Sequence, residues 1–279
     1  MFLKRALIAL IFGPLALALI YFGDQLGGLV YFIPFALLLS LATIEYANMM
    51  QHLHWQVPTW ALLPIVITQW VIAQWGDAAW VGPSFVISLL IILTIVLTSY
   101  EKQTSQTVPA DWMAFIGGFL LLGWIGSHFF LLRSIPQYAW QWTMLAMLTT
   151  WIADSGAYVV GKFVAGKHLL GKHKLSPRLS PNKTVEGYAG GIFFGTFFTA
   201  LIGYFLQVPL LPLVILGLFI TILTPLGDLG ISLLKREANI KDSGNLLPGH
   251  GGALDRVDTL LWAVTIAYYL ALFLPQFQI

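Results

Sequence analysis

Fourteen lysines and arginines and twelve carboxylates are all the formal charge in 279 residues, and nine of them fall between Gly227 and Asp258. That stretch reads GDLGISLLKREANIKDSGNLLPGHGGALDRVD. Asp228 closes a long apolar run, Lys235 and Arg236 follow two helical turns later, and Asp255 and Asp258 open the next apolar run. Asp228, Ser232 and Lys235, at i, i+4 and i+7, share one helical face. Asp255 and Asp258, at i and i+3, project together from a helix start, where acids also serve as caps. Gly249, Gly251 and Gly252, around His250, let a backbone approach a ligand closely and offer N–H groups to phosphate oxygens. Three carboxylates in a chain without cysteine suit a hard cation, Mg²⁺ or Mn²⁺, with a second cation kept open. Such a set suits phosphoryl or nucleotidyl transfer, which needs positioning and charge neutralisation rather than a protein nucleophile.

Two stretches upstream bear on the same chemistry. In WIADSGAYVVGK, Asp154 lies within an otherwise apolar helix, with Tyr158 at i+4 on its face. A carboxylate there costs ~2.5–3.5 kcal/mol on insertion scales unless partnered. It therefore reads as facing a hydrated pocket, in preference to a purely structural hydrogen bond. The segment from Gly161 to Gly187 carries six lysines and arginines and no acid between Lys162 and Lys183. It suits anionic headgroups, at ~1 kcal/mol per charge, and equally a phosphorylated substrate. Two Walker-like matches, ending at Lys167 and Lys172, are followed by His168 and His173 where Ser or Thr would bind magnesium, so they are refused. The S-x-x-K match at Ser180–Lys183 lacks its partner motifs and is refused as well. Glu186 reads equally as a ligand or as a counter-charge. Gly187, Gly191, Gly195, Thr199 and Gly203 are spaced four apart, a face for close helix packing.

These residues need elements to hold them, and composition says which. The chain is 58% hydrophobic and 9% charged, with a mean hydropathy of +0.81, against roughly 25% charged in soluble domains. The expected fold is an all-α polytopic membrane protein with about nine spans. They lie near 6–22, 26–44, 59–75, 80–99, 112–131, 139–160, 186–206, 209–226 and 257–275. The first is read as a retained helix rather than a signal peptide. Pro225 and Gly227 are expected to break or kink the eighth just before Asp228. Alternation places thirteen basic residues on one face and only Arg133 on the other, so the basic loops and the N-terminus are expected in the cytoplasm. Residues 1–135 read as a membrane scaffold of about five spans, and 136–279 as the catalytic region with two cytoplasmic loops. Glu45, His52 and His54 end the second span, and the His-x-His pair beside Trp55 reads as interfacial filler. Charges gathered on one face, without an evident repeat, argue against a transporter.

From Ser232 to Asp258 the chain, S-x-L-K-R-x4-K-D-S-G-x-L-L-P-G-H-G-G-A-L-D-R-V-D, resembles the signature of the phosphatidate cytidylyltransferases. DSGAYVVGK at 154–162 and KLSPRLSPNKTVEG at 174–187 are similar to that family's other cytoplasmic motifs, in the same order. The resemblance implies transfer of CMP from CTP to phosphatidate, giving CDP-diacylglycerol and pyrophosphate with a divalent cation. It implies metal held by Asp228, Asp255 and Asp258, and Asp154 completing the polar pocket. Phosphate contacts would come from Lys183, Lys235, Arg236, Lys241 and Arg256, with Ser180 beside them and His250, Gly251 and Gly252 shaping the nucleotide loop. The implied setting is the cell (inner) membrane, with membrane lipids as surroundings, no nucleic acid, and a homodimer left open. Two departures stand out: Ile231 replaces a carboxylate usual in the family, and the basic loop is longer, with GKH appearing twice. Asn at position 228 or 255 is expected to abolish turnover while the protein still inserts, checked by labelled product and membrane fractionation.

Overall fold

The computed structural model describes residues 2–166, 171–244 and 251–273. Among them nine helical rods stand over the nine expected spans: α1 (Phe2–Tyr21), α2 (Leu29–His52), α3 (Thr59–Trp75), α4 (Val81–Glu101), α5 (Val108–Ser134), α6 (Ala139–Phe163), α7 (Val185–Phe205), α8 (Leu210–Glu237) and α9 (Leu254–Phe273). The protein is an all-α polytopic membrane protein. Six of these helices, α2, α4, α5, α7, α8 and α9, are long and apolar enough to cross a membrane by length and composition. α3 is apolar but has 17 residues, and α6 has 25 but carries Asp154, Lys162 and several hydroxyls. Exposed leucines, phenylalanines and tryptophans cover the outer faces, Trp60 at 74% and Trp80 at 62% among them. Such surfaces belong against lipid rather than water.

By packing, the chain forms two compact units: Met1–Ser134 with Leu234–Val257, and Ile135–Leu233 with Asp258–Ile279. The chain passes from one to the other within α8 and again within α9.

In the first unit, aromatic side chains from α2 and α3 tie α5 down. Tyr46 Oη donates to the Ala114 carbonyl at 2.8 Å, and Trp70 Nε1 to the Leu122 carbonyl at 2.8 Å. Leu122 lies in Phe119–Ile125, where α5 is wound as a π-helix; the indole satisfies a carbonyl that this winding displaces from the regular ladder. Arg133, the basic residue expected on the opposite membrane face, pairs with Asp24 and lies over the Tyr31 ring. At the other end, Asp111 accepts from Gln56 N, Thr107 Oγ1 and Ser105 Oγ, and so binds the α2–α3 connection to the start of α5.

In the second unit α6 and α7 lie against each other along the four-residue glycine stripe. A Cβ at Gly187 would come within 2.7 Å of the Ala157 carbonyl oxygen, and one at Gly191 within 2.9 Å of the Ala153 carbonyl oxygen. Two turns further on, Thr199 and Thr149 share a 2.6 Å hydrogen bond. Small residues let the backbones approach, and interhelical hydroxyls then hold them. α8 runs unbroken through Pro225 to Glu237, which corrects the expected break. Tyr188 Oη donates to the Ile222 carbonyl, three residues before the proline, at 2.7 Å. The carbonyl that the missing proline N–H leaves free is that of Thr221, four residues back, so the Tyr188 bond ties α7 to α8 beside the proline rather than replacing its donor.

Gly191→Leu is expected to force α6 and α7 apart and cost about 1–3 kcal/mol as overpacking. Gly230→Leu, at an exposed position of α8 where a Cβ would meet nothing within 4 Å, serves as the comparison, and unfolding in detergent measures both.

Candidate active site

The basic loop is not featureless. Lys174–Ser176 (β1) and Ser180–Thr184 (β2) form a short antiparallel hairpin, with Lys174 opposite Thr184 and Ser176 opposite Ser180. Pro177 sits second in the connecting turn, where its fixed φ is favourable, and Pro181 is tolerated because a two-stranded hairpin has only edges. Thr184 ends β2 and caps α7, accepting from Gly187 N at 3.0 Å. Glu186 then accepts from His173 N at 3.1 and 3.2 Å and lies 2.6 Å from His173 Nδ1. It closes the hairpin onto the helix, so the side chain is engaged as a local partner of His173.

Lys183, held by β2 at this junction, forms an ion pair with Asp228 of α8. The side chains are 32% and 25% exposed, half-buried on both sides. Two motifs 45 residues apart are joined by this contact. Asp258 is buried, with Oδ1 accepting from Thr259 N at 2.7 Å. Gly227, next to Asp228 in sequence, lets α8 lie close to α9: a Cβ there would lie 2.6 Å from the Asp258 carbonyl oxygen. The glycine that was expected to break α8 instead allows α9 to approach it.

Ala153 and Gly156 face α7, so Asp154 falls on the exposed face of α6 with Tyr158, whose hydroxyl accepts from Lys162 Nζ at 2.8 Å. The i, i+4 reasoning placed Asp154 and Tyr158 together correctly; only packing decided which way that face turned. Ser180 is half-buried at the start of β2. Ile231 is 3% exposed among apolar neighbours, so the position that departs from the family pattern is a core position here.

In the first unit, Asp255 is surrounded by donors. Oδ1 accepts from Lys235 Nζ at 2.6 Å, while Oδ2 accepts from Ser243 N and Gly252 N, both at 2.9 Å, and from Ser243 Oγ at 3.1 Å. Lys235 and Asp255 side chains are only 11% and 7% exposed. Gly251 has φ +77°, and a Cβ there would also lie 2.6 Å from Asp255 Oδ2, so glycine is required twice over. Arg236, Lys241 and Arg256 are exposed. Gly249 and His250, like Lys167 and His168, lie outside the described residues.

Hard oxygen donors are present for a divalent cation, and Asp228 fits best, half-exposed with Lys183 on one oxygen. Asp258 supplies a second carboxylate within the same unit. Asp255 fits less well, because both of its oxygens are already engaged. Among the described residues no three His, Asp or Glu side chains are grouped as a ready ligand set, so a cation would complete its shell from water and substrate oxygens.

The comparisons agree with one family. The cytidylyltransferase family profile matches residues 3–274. The chain belongs to the cytidylyltransferase family. Relatives of this cytidylyltransferase-family chain include the phosphatidate cytidylyltransferase of Bacillus subtilis (strain 168), 38% identical over 179 residues, which are 63% of this chain and 64% of that one. The phosphatidate cytidylyltransferase of Synechocystis sp. is 42% identical over 134 residues, 47% of this chain and 43% of that one. That of Staphylococcus aureus (strain COL) is 32% identical over 179 residues, 63% and 66% of the two chains. The matched stretches thus span less than two thirds of each of these relatives.

One residue of the cluster around Asp255 was named in the sequence reading without a role of its own. Glu45, set aside as part of the scaffold, joins Ser243 and the start of α9. Its signal was available: it is the sole acid between Asp24 and Asp77, at the end of an apolar helix.

Lys235→Met is expected to destabilise the protein by about 3–5 kcal/mol, because Asp255 is left buried without its counter-charge. Lys235→Arg, which keeps the charge, should lose less; denaturant unfolding in detergent checks the order.

Proposed function

We propose that the protein is a phosphatidate cytidylyltransferase, transferring CMP from CTP to phosphatidate to give CDP-diacylglycerol and pyrophosphate. The observation that carries this reading is the Lys183–Asp228 pair. It joins the basic hairpin, suited to phosphate, to the acid four residues before the signature that starts at Ser232. The names of the relatives support the substrate pair, and the helices that surround these residues suit a lipid acceptor.

In this reading the phosphate oxygen of phosphatidate attacks the α-phosphorus of CTP, forming the new P–O bond as the bond to pyrophosphate breaks. No protein nucleophile is involved, and the acceptor phosphate is already ionised at neutral pH. Asp228 and Asp258 would hold the divalent cation, which supplies neutralisation of the phosphate oxygens and of the leaving pyrophosphate. Lys183, paired with Asp228 in the chain as it stands, would be free to turn its charge to substrate oxygens if that carboxylate held the cation. Exposed Arg236, Lys241 and Arg256 draw the triphosphate to the surface. Asp255 serves differently: with Lys235 and Ser243 it fixes the fold of the glycine loop, so its own contribution is geometry. The membrane is the cell (inner) membrane, with the basic loops in the cytoplasm, supported by thirteen basic residues against one under the alternation of spans.

Purified protein in detergent with phosphatidate, Mg²⁺ and labelled CTP is expected to yield labelled CDP-lipid, and EDTA to stop it. Lys183→Ala is expected to lower kcat/KM for CTP by one to two orders of magnitude, about 1.4–2.8 kcal/mol. Product that forms equally well in EDTA would overturn the cation assignment, and no product from folded protein would overturn the reaction.

A further inference from the structure

We propose that Glu45 of α2 is a positioning residue for this transfer: it fixes the loop before α9, and Asp255 with it, in the working geometry. The role rests on the reaction proposed above, but the contact itself does not. Glu45 Oε1 accepts from Ala253 N at 2.9 Å. Oε2 accepts from Leu254 N at 2.9 Å and from Ser243 Oγ at 2.8 Å. One carboxylate thus caps the first turn of α9 from a helix about two hundred residues away, with |i−j| of 208 and 209 for the two backbone bonds. An anion at that end is favoured by the orphan N–H groups and by the helix dipole.

Ser243 carries the effect onward. Its hydroxyl lies 2.8 Å from Glu45 Oε2 and 3.1 Å from Asp255 Oδ2, and its backbone N–H is bound to the same Asp255 oxygen. Moving Glu45 therefore moves the group that clamps Asp255.

The glycines give an independent sign that the loop is shaped around this side chain. Neither Gly244 nor Gly252 has a positive φ, so backbone conformation does not demand glycine at either. A Cβ at Gly244 would lie 2.6 Å from Glu45 Cδ, and one at Gly252 within 2.5 Å of it. Glu45 excludes a side chain at Gly244, and at Gly252 it does so together with Ser243 Oγ, which would crowd the same Cβ. The same arrangement uses the Gly252, Ala253 and Leu254 N–H groups on carboxylates of the chain itself. They hold the loop instead of binding substrate phosphate.

The test compares full-length wild type, Glu45→Ala, Glu45→Gln, Gly252→Ala and the Glu45→Ala/Gly252→Ala double variant, all in detergent. Glu45→Ala is expected to lower kcat more than tenfold per folded molecule, with a smaller change in KM for CTP. Glu45→Gln should fall between, since its single amide oxygen accepts from Ala253 or Leu254 but not both. Gly252→Ala should be damaging alone and only partly relieved when Glu45 is absent, because the contact with Glu45 is then removed while that with Ser243 Oγ remains. Amide exchange should quicken at Ala253 and Leu254 in Glu45→Ala, a readout that stands even if wild type makes no CDP-lipid and the reaction is misassigned. Wild-type kcat and KM in Glu45→Ala, or a lower melting temperature with unchanged turnover per folded molecule, would overturn the positioning role. Unchanged exchange at those two amides would overturn the contact itself.

Discussion

An ionised carboxylate taken out of water survives only where donors replace the water that it loses. This chain meets that condition most fully at Asp255, where a lysine, a hydroxyl and two backbone N–H groups converge on one side chain. The glycine loop takes its shape from that requirement. Gly251 turns through positive φ beside the carboxylate, Ser243 bends back to reach it, and Glu45 holds the adjoining backbone from below. Few charges are present, and among the described residues the buried ones are paired or hydrogen-bonded, so several of these contacts specify which segments of a hydrophobic chain must meet.

The second unit solves the same problem with less charge. α6 and α7 approach through glycine and threonine, and this brings Thr184 and Glu186 to the point where the basic hairpin enters the membrane helix. Lys183 is thereby placed against Asp228. The hydrophobic parts of the unit thus do chemical work indirectly: close packing of backbones sets where a mobile lysine side chain begins. A looser helix pair would leave the hairpin without a fixed root.

A dipole and a proline illustrate how local rules were overruled. Pro225 read as a residue that would break or kink the helix, yet α8 continues past it to carry Lys235 and Arg236, with the Tyr188 hydroxyl bound to the Ile222 carbonyl beside it. Gly252 read as a phosphate-binding glycine, yet its N–H is bound to Asp255 and its missing Cβ makes room for Glu45. Ile231 read as a missing acid, and is a buried core residue. In each case the residue type was understood and its partner was not, because the partner lay on a different helix.

The amino-acid order alone determined the class of protein, the existence of the nine helices, and the concentration of chemistry between Asp228 and Asp258, while α2 and α8 run on to His52 and Glu237, well past the expected ends at 44 and 226. Those properties depend on local hydrophobicity and on residue type, both of which are written along the chain. It also carried the pairing of small residues on α7, since a four-residue period marks one face of a helix wherever that helix lies. The direction in which Asp154 faces, the hairpin that presents Lys183, and the recruitment of Glu45 to a loop some two hundred residues later were settled only by tertiary structure. Each depends on which surfaces bury one another, and a single acid at the end of an apolar helix has no partner until the fold supplies the N–H groups that it caps.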